Sequence, residues 1–412
     1  MSVTAAKGFR AAGVAAGMKD AGRDVALIVN DGPAKAAAAV FTRNRVKAAP
    51  VLWSQQVVRD GRLDAVVLNS GGANACTGAE GFGDTHATAE HVAATLGVSA
   101  ADVAVCSTGL IGVRLRLGPL LGGVDKAAAR LSAAGGDDAA VAILTTDTVP
   151  KQAVAVGGTT SPSDWRPNDD RPIPVSSTAV QTTAGEVGDY TIGGMAKGAG
   201  MLAPALATML VVLTTDADVS AADLDRALRS ATRRTFDRLD SDGCLSTNDT
   251  VLLLASGASG ARPPYDDFAR VVEQVCANLA AQLLSDAEGA SKTIAIEVSR
   301  AATEADAVTV GRAIARNNLV KCAIHGEDPN WGRILAAIGT TDAAFEPERL
   351  AVAVNGVWVC RDGGIGEPRE LVDMSPRHVT ITVDLAAGNA TATVHTTDLT
   401  AAYVHDNSAY SS

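Results

Sequence analysis

At 412 residues, the chain is long enough for two or three domains around a large apolar core. Hydrophobic residues make up 47% but aromatics only 3%, so that core is built from Ala, Val and Leu. The net charge of −11 excludes the broad basic surface that nucleic acid or anionic membrane would need, although local Lys and Arg can still receive a small anionic substrate.

Six cysteines (Cys76, Cys106, Cys244, Cys276, Cys322, Cys360) are scattered without CxxC spacing. They read as isolated thiols in a reducing compartment, with no metal site and no disulfide framework. The N-terminal Ala/Gly stretch after Lys7 and Arg10 is too short and too weakly apolar for a signal peptide, so a cytoplasmic protein is expected.

Val25 to Asn30 and Ala37 to Thr42 read as strands joined by the Asp31-Gly32-Pro33 turn. Pro50 opens a helix through Val58 that Gly61 closes. Ala65 to Leu68 is a buried strand, His86 to Leu96 a helix and Val103 to Val105 another strand, an alternation that indicates α/β or α+β architecture. That strand runs into Ser107-Thr108-Gly109-Leu110-Ile111-Gly112. Glycines there allow backbone N–H groups to face a ligand, and two such donors stabilise an acyl-transfer oxyanion, although a plain strand-to-helix turn has the same pattern. Pro119 to Leu131 and Asp137 to Leu144 read as helices, followed by the polar cluster Thr145-Thr146-Asp147-Thr148. Residues 157–188 are rich in Pro, Ser, Thr and Asp, the composition of a surface excursion.

Residues 190–217, YTIGGMAKGAGMLAPALATMLVVLTTDA, combine a short strand (Tyr190 to Met195), Lys197 in a glycine-rich turn and a buried-strand run from Met209 to Leu213. The uncharged stretch between Gly198 and Thr215 approaches membrane-span length, but Pro204 and its glycines argue against a span. A Thr preceded by a small residue, at the junction of a flexible turn and a buried strand, suits an N-terminal nucleophile. Breaking the Ala207–Thr208 bond would free an α-amine that acts as base for the same hydroxyl.

Further on, Ser220 to Asp223 forms a capping box for a helix whose Leu224, Ala227, Leu228 and Ala231 share one face. The polar loop 240–250 precedes a strand at Val251 to Leu254; it lacks the alternating ligands and terminal Glu of a calcium loop. Phe268 to Leu284 is an amphipathic helix ending near Glu288, which sits at the unfavourable end of its dipole. A strand at Thr293 to Val298, a helix from Thr303 to about Arg316, and strands at Val352, His378 and Ala392 complete a small α+β unit. The closing HDNSAYSS has the composition of a polar tail.

The motifs FTRN (Phe41 to Asn44), LNSGGANACTG (Leu68 to Gly78), STGLIG, TTDTVPK, MAKGAGMLAP followed by ATML, STNDT, DAEG, DPNWGR and NSAYSS, in this order over nearly the whole chain, resemble the ornithine acetyltransferase (glutamate N-acetyltransferase) family. The resemblance implies a four-layer α/β/β/α sandwich with a smaller C-terminal α+β domain. It implies autoproteolysis at Ala207–Thr208 into an α fragment (1–207) and a β fragment (208–412), the latter completing the sandwich with 208–288 and forming the smaller domain from 289–412. Thr208 would be the nucleophile, Thr108 and Gly109 the oxyanion hole, and Thr145, Lys197, Glu288, Asn407 and Ser412 substrate contacts, with STNDT shaping the site and DPNWGR supporting it structurally.

The implied reaction carries acetyl from N-acetylornithine to glutamate in arginine biosynthesis, without a cofactor, with acetyl-CoA as an alternative acetyl source. The implied assembly pairs two α with two β chains. Two departures from the family pattern stand out: Ala205, where Asn or Ser is usual, and the long 157–188 segment. An autoprocessed aminopeptidase or amidase, a specialised-pathway paralogue, and a non-enzymatic small-anion binder remain alternatives from residues alone.

Overall fold

The computed structural model describes residues 2–158, 189–201 and 209–409. In chain order the first two-thirds contains β1 (Phe9–Val14), β2 (Val25–Asn30), β3 (Ala36–Phe41), α1 (Ala49–Val57), β4 (Ala65–Asn69), α2 (Gly78–Leu96), β5 (Val103–Ser107), α3 (Leu117–Ala128), α4 (Gly136–Ala142), β6 (Lys151–Gly157), β7 (Tyr190–Lys197), β8 (Leu210–Thr215), α5 (Ala221–Arg234), β9 (Thr250–Ala255) and α6 (Tyr265–Ser285). One sheet has the order β1-β2-β4-β5, and a second has β3-β9-β8-β7-β6. Within them β4 and β5 run parallel, as do β8 and β9, and the other pairs are antiparallel.

The layering follows from alternation along the central strands. Leu210 and Val212 of β8, with Leu252 and Leu254 of β9, enter the core shared with Val66, Leu68 and Val105 of the first sheet. Val211 and Leu213, with Val251 and Leu253, point the other way, against Leu224 and Leu228 of α5 and Val272 and Leu279 of α6. Strands covered on both faces need apolar residues at every position, which is why these runs show no polar alternation. Helices α1 to α4 pack on the first sheet and α5 and α6 on the second, giving the α/β/β/α sandwich.

The remaining third holds β10 (Thr293–Ala301), α7 (Glu304–Ala315), α8 (Asn318–His325), α9 (Trp331–Ile338), β11 (Ala351–Val354), β12 (Val357–Arg361), β13 (Gly364–Ile365), β14 (His378–Asp384), β15 (Ala390–Thr397) and α10 (Ala401–Ala409). Its sheet runs β13-β12-β11-β14-β10-β15 around a core of its own, with Ile296, Val310, Ile314, Ile334 and Ile381 among its members. In DPNWGR, the Asn330 side chain caps α9 at the Arg333 N–H, and Arg333 Nη1 reaches the Leu319 carbonyl at 2.8 Å. That motif joins α9 to the α8 segment, a structural role.

Several elements differ from the sequence expectations. The strands β2 and β3 follow one another through the expected turn but do not pair; they lie in different sheets. β1 was masked by its Ala- and Gly-rich composition, and it pairs with β2 along its full length. β6 shows strict alternation of buried and half-buried positions, as an edge strand does, but Lys151 at its head reads as loop. α2 begins eight residues before His86, through glycines that look like turn residues. A Cβ on Gly81 would lie 1.9 Å from Thr77 Oγ1, so the helix start is packed too closely for any side chain there. The polar tail forms α10 as far as Ala409. No described helix is long and apolar enough to cross a membrane.

Candidate active site

At the end of β5 the chain turns back under a lattice of hydrogen bonds. Thr108 N–H donates to the Asn69 carbonyl (2.9 Å) and Gly72 N–H donates to the Thr108 carbonyl (3.0 Å). Asn248 Nδ2 donates to the carbonyls of Ala73 (2.6 Å) and Ser107 (2.8 Å), tying the turn to the segment before β9. Of the two backbone donors expected here, the one on Thr108 is therefore committed, and its hydroxyl is left as the group able to face a ligand. The Gly109 N–H donates to no described residue. Gly109 has φ +128, and a Cβ there would lie 2.8 Å from the Gly72 nitrogen. Both features require glycine. Gly109→Ala is expected to displace this turn at a cost of about 1–3 kcal/mol in stability, read by thermal unfolding, together with loss of turnover.

Lys197 is the last residue of β7 rather than part of a loose turn, and its side chain is 2% exposed. Its Nζ donates to Thr145 Oγ1 at 2.7 Å, lies 3.4 Å from Thr108 Oγ1, and stands 3.6 Å from Asp147 Oδ2. Burial pushes the ammonium below the usual lysine range, and Asp147 opposes that shift. Burial would raise the Asp147 carboxyl, but Lys197 and Lys151 outweigh it and hold Asp147 below the usual carboxylate range.

Glu288 follows the end of α6. Its N–H donates to the Ala199 carbonyl at 3.0 Å, and Thr146 Oγ1 donates to its Oε1 at 2.6 Å. These contacts account for a carboxylate at the unfavourable end of a helix dipole. The carboxylate lies close against Gly200, where a Cβ would be 2.5 Å from Glu288 Oε2 and would push that side chain aside.

Thr108, Gly109, Thr145, Lys197, Glu288 and Asn407 line one cleft, open to solvent, with about 540 Å³ of free space. Asn407 reaches it from α10, with Nδ2 bonded to the Tyr403 carbonyl at 3.0 Å. Ala207, Thr208, Ala205, Ser412 and residues 159–188 of the excursion lie outside the described residues. The described chain resumes at Met209, whose N–H donates to Asp249 Oδ1 at 3.0 Å. Leu210 pairs in register with Lys197, so β8 begins beside the cleft. Burial raises the Asp249 carboxyl well above its ordinary range, against the lowering effect of that bond.

The residues that sequence reasoning passed over are Ala73, Ile111 and Met201 on the cleft wall, where Thr146 of the polar cluster also lies, and the buried side chains of Lys151 and Asp286. Lys151 is four residues from Asp147, a spacing visible in sequence, whereas nothing in the chain order brings Asp286 to it. Ser246 and Asn248 of STNDT do shape the cleft. Among the described residues no group of His, Cys, Asp and Glu could hold a metal ion.

The family model of the ArgJ family matches residues 10–163 and 174–412, and the gap falls in the Pro-rich excursion. The arginine biosynthesis bifunctional protein ArgJ of Streptomyces coelicolor is 65% identical over 413 residues, covering all of both chains. The protein of the same name from Thermobifida fusca is 62% identical, again over all of both chains. Among solved structures, an ornithine acetyltransferase of Mycobacterium tuberculosis complexed with ornithine is 51% identical over 49% of this chain and 94% of that one, with a TM-score of 0.40. A match along nearly the whole length, at such identities, leaves one assignment: the chain belongs to the ArgJ family.

Proposed function

We propose that this chain is a glutamate N-acetyltransferase of arginine biosynthesis, which cuts itself between Ala207 and Thr208 and carries acetyl from N2-acetylornithine to L-glutamate through an acetyl-Thr208 ester. The observation that carries this reading is the meeting of Thr108, Gly109, Thr145 and Lys197 in one cleft, at the end of β7 where β8 starts. In the first half-reaction the Thr208 hydroxyl attacks the acetyl carbonyl and its α-amine takes the proton. The Thr108 hydroxyl and Gly109 N–H receive the oxyanion, and ornithine leaves. Glutamate then attacks the ester and regenerates Thr208. Lys197 meets a substrate carboxylate or developing negative charge, and Glu288, Asn407 and Ser412 bind the remainder of the substrate. The working unit is two fragments, 1–207 and 208–412, in a heterotetramer of the cytoplasm; no cofactor takes part, and acetyl-CoA can serve as acetyl donor.

Intact mass of the denatured protein tests this. Two species of 207 and 205 residues are expected, and N-acetylornithine should add one acetyl group to the second alone. A single full-length species, or acetyl passed to water with none reaching glutamate, would overturn the transferase reading.

The reaction also has a directional pH dependence. The Thr208 α-amine must be neutral, so kcat/KM rises as pH climbs through an amine pKa near about 8. Lys197 must be charged, so the rate falls again once its ammonium, already lowered by burial, loses its proton. A bell-shaped profile in a stopped assay of N-acetylglutamate is expected, and a flat one between pH 6 and pH 10 counts against both assignments.

A further inference from the structure

Beneath the cleft, four buried charges alternate in sign: Lys197, Asp147, Lys151 and Asp286. The Asp147 side chain is fully buried, and its carboxylate gathers donors from three segments. Oδ1 accepts from Gly198 N–H (2.6 Å) and from Lys151 Nζ (2.5 Å). Oδ2 accepts from Thr145 N–H (3.2 Å) and stands 3.6 Å from Lys197 Nζ. Lys151, also fully buried, makes a second ion pair with Asp286 Oδ2 at 2.5 Å. Asp286 in turn accepts from the Thr148 N–H (3.0 Å) and hydroxyl. It lies two residues before Glu288.

A buried ammonium stays charged only when a counter-charge is fixed nearby, because solvation no longer supports it. Lys197 faces charged or titratable groups from several elements. Asp147 and Lys151 lie below it, Glu288 comes from the segment after α6, Asp249 from the head of β9, and Lys19 from the β1–β2 connection. Among these, Asp147 is the carboxylate in ion-pair range of Lys197, Glu288 adds a weaker attraction, and Lys151 and Lys19 oppose the charge. Asp147 also grips Gly198 N–H directly beyond Lys197 and Thr145 N–H beside it, so it sets the separation of the two groups that bond to each other in the cleft.

Building on the proposed transfer reaction, we propose that Asp147 is a positioning residue that keeps Lys197 an ammonium aimed at Thr145 and Thr108, and that Lys151 and Asp286 lock this arrangement to the segment carrying Glu288. The Asp147 side chain is buried and does not line the cleft. It acts through Lys197, and the ion pairs of Lys151 with Asp147 and Asp286 tie the Lys197 side of the cleft to the segment carrying Glu288.

The test compares pH profiles of kcat/KM for acetyl transfer from N-acetylornithine to glutamate in the parent protein, Asp147→Asn and Asp286→Asn, with intact mass as a check on cleavage. Transfer by the parent is established first; its absence would remove the underlying reaction and not this assignment. With Asp147→Asn the alkaline limb, where Lys197 loses its proton, should move at least about 1 pH unit lower, since an opposite charge at this range is commonly worth that or more. Asp286→Asn leaves Lys151 leaning on Asp147 alone, which weakens the field at Lys197. The same limb then moves the same way by less, and KM rises. Should Asp147→Asn fail to fold, Asp286→Asn decides alone. A folded, cleaved variant of either kind whose profile is only scaled down, with the alkaline limb in place, would overturn the proposal, because a purely structural role predicts that result.

Discussion

Thr208→Ala is expected to give a single 412-residue species that transfers no acetyl group. The substitution removes the hydroxyl needed for both self-cleavage and the ester, and it also prevents release of the α-amine that would act as base. Loss of a nucleophile that works together with its base lowers turnover by roughly 10⁴-fold or more. Folding should survive. The pairing of β8 with β7 and β9 starts at Leu210, and the bond from the Met209 N–H to Asp249 Oδ1 uses no atom of residue 208. Denaturing gel mobility and intact mass check cleavage, and circular dichroism checks the fold. Cleavage of this variant between 207 and 208 would end the N-terminal nucleophile reading.

Thr108→Val is the second large effect. Valine matches threonine in shape, and the Thr108 backbone keeps its bonds to Asn69 and Gly72. Only the hydroxyl facing Lys197 is lost. If that hydroxyl receives the oxyanion, kcat falls by roughly 10²–10³-fold, about 2.7–4 kcal/mol of barrier, with KM little changed. Single-turnover acetylation of the fragment starting at Thr208 isolates this step from product release. A kcat within a few fold of the parent would leave Thr108 a space-filling residue and put the oxyanion elsewhere.

The central strands were legible in sequence because burial on both faces forces uninterrupted apolar runs, and Val251 to Leu254 could hardly be anything else. The capping box at Ser220 was legible for a local reason as well: its side chain bonds the Asp223 N–H, three residues on. Elements whose character comes from partners elsewhere were not. β1 is a strand because β2 offers it a full ladder, not because Phe9–Val14 has strong strand chemistry. In the site, the motifs identified Thr108, Thr145, Lys197 and Glu288 separately. The buried state of Lys197, which decides its chemistry, depends on Asp147 and on layers of the sandwich that only folding supplies.

The middle of the second sheet has a further consequence for a chain cut between 207 and 208. β3, β6 and β7 come from before that bond and β8 and β9 from after it, and the six-residue ladders β7–β8 and β3–β9 stitch the two pieces on both sides of β8 and β9. Scission would therefore change no interface at the moment it happens, and the pieces stay together as one folded body. It does change molecularity. Unfolding an intact chain is reversible in a single step, whereas two separated pieces must find one another again, so recovery becomes second order and dependent on protein concentration. Self-cleavage would act as a ratchet: folding comes first, as one chain, and a molecule that later melts seldom returns.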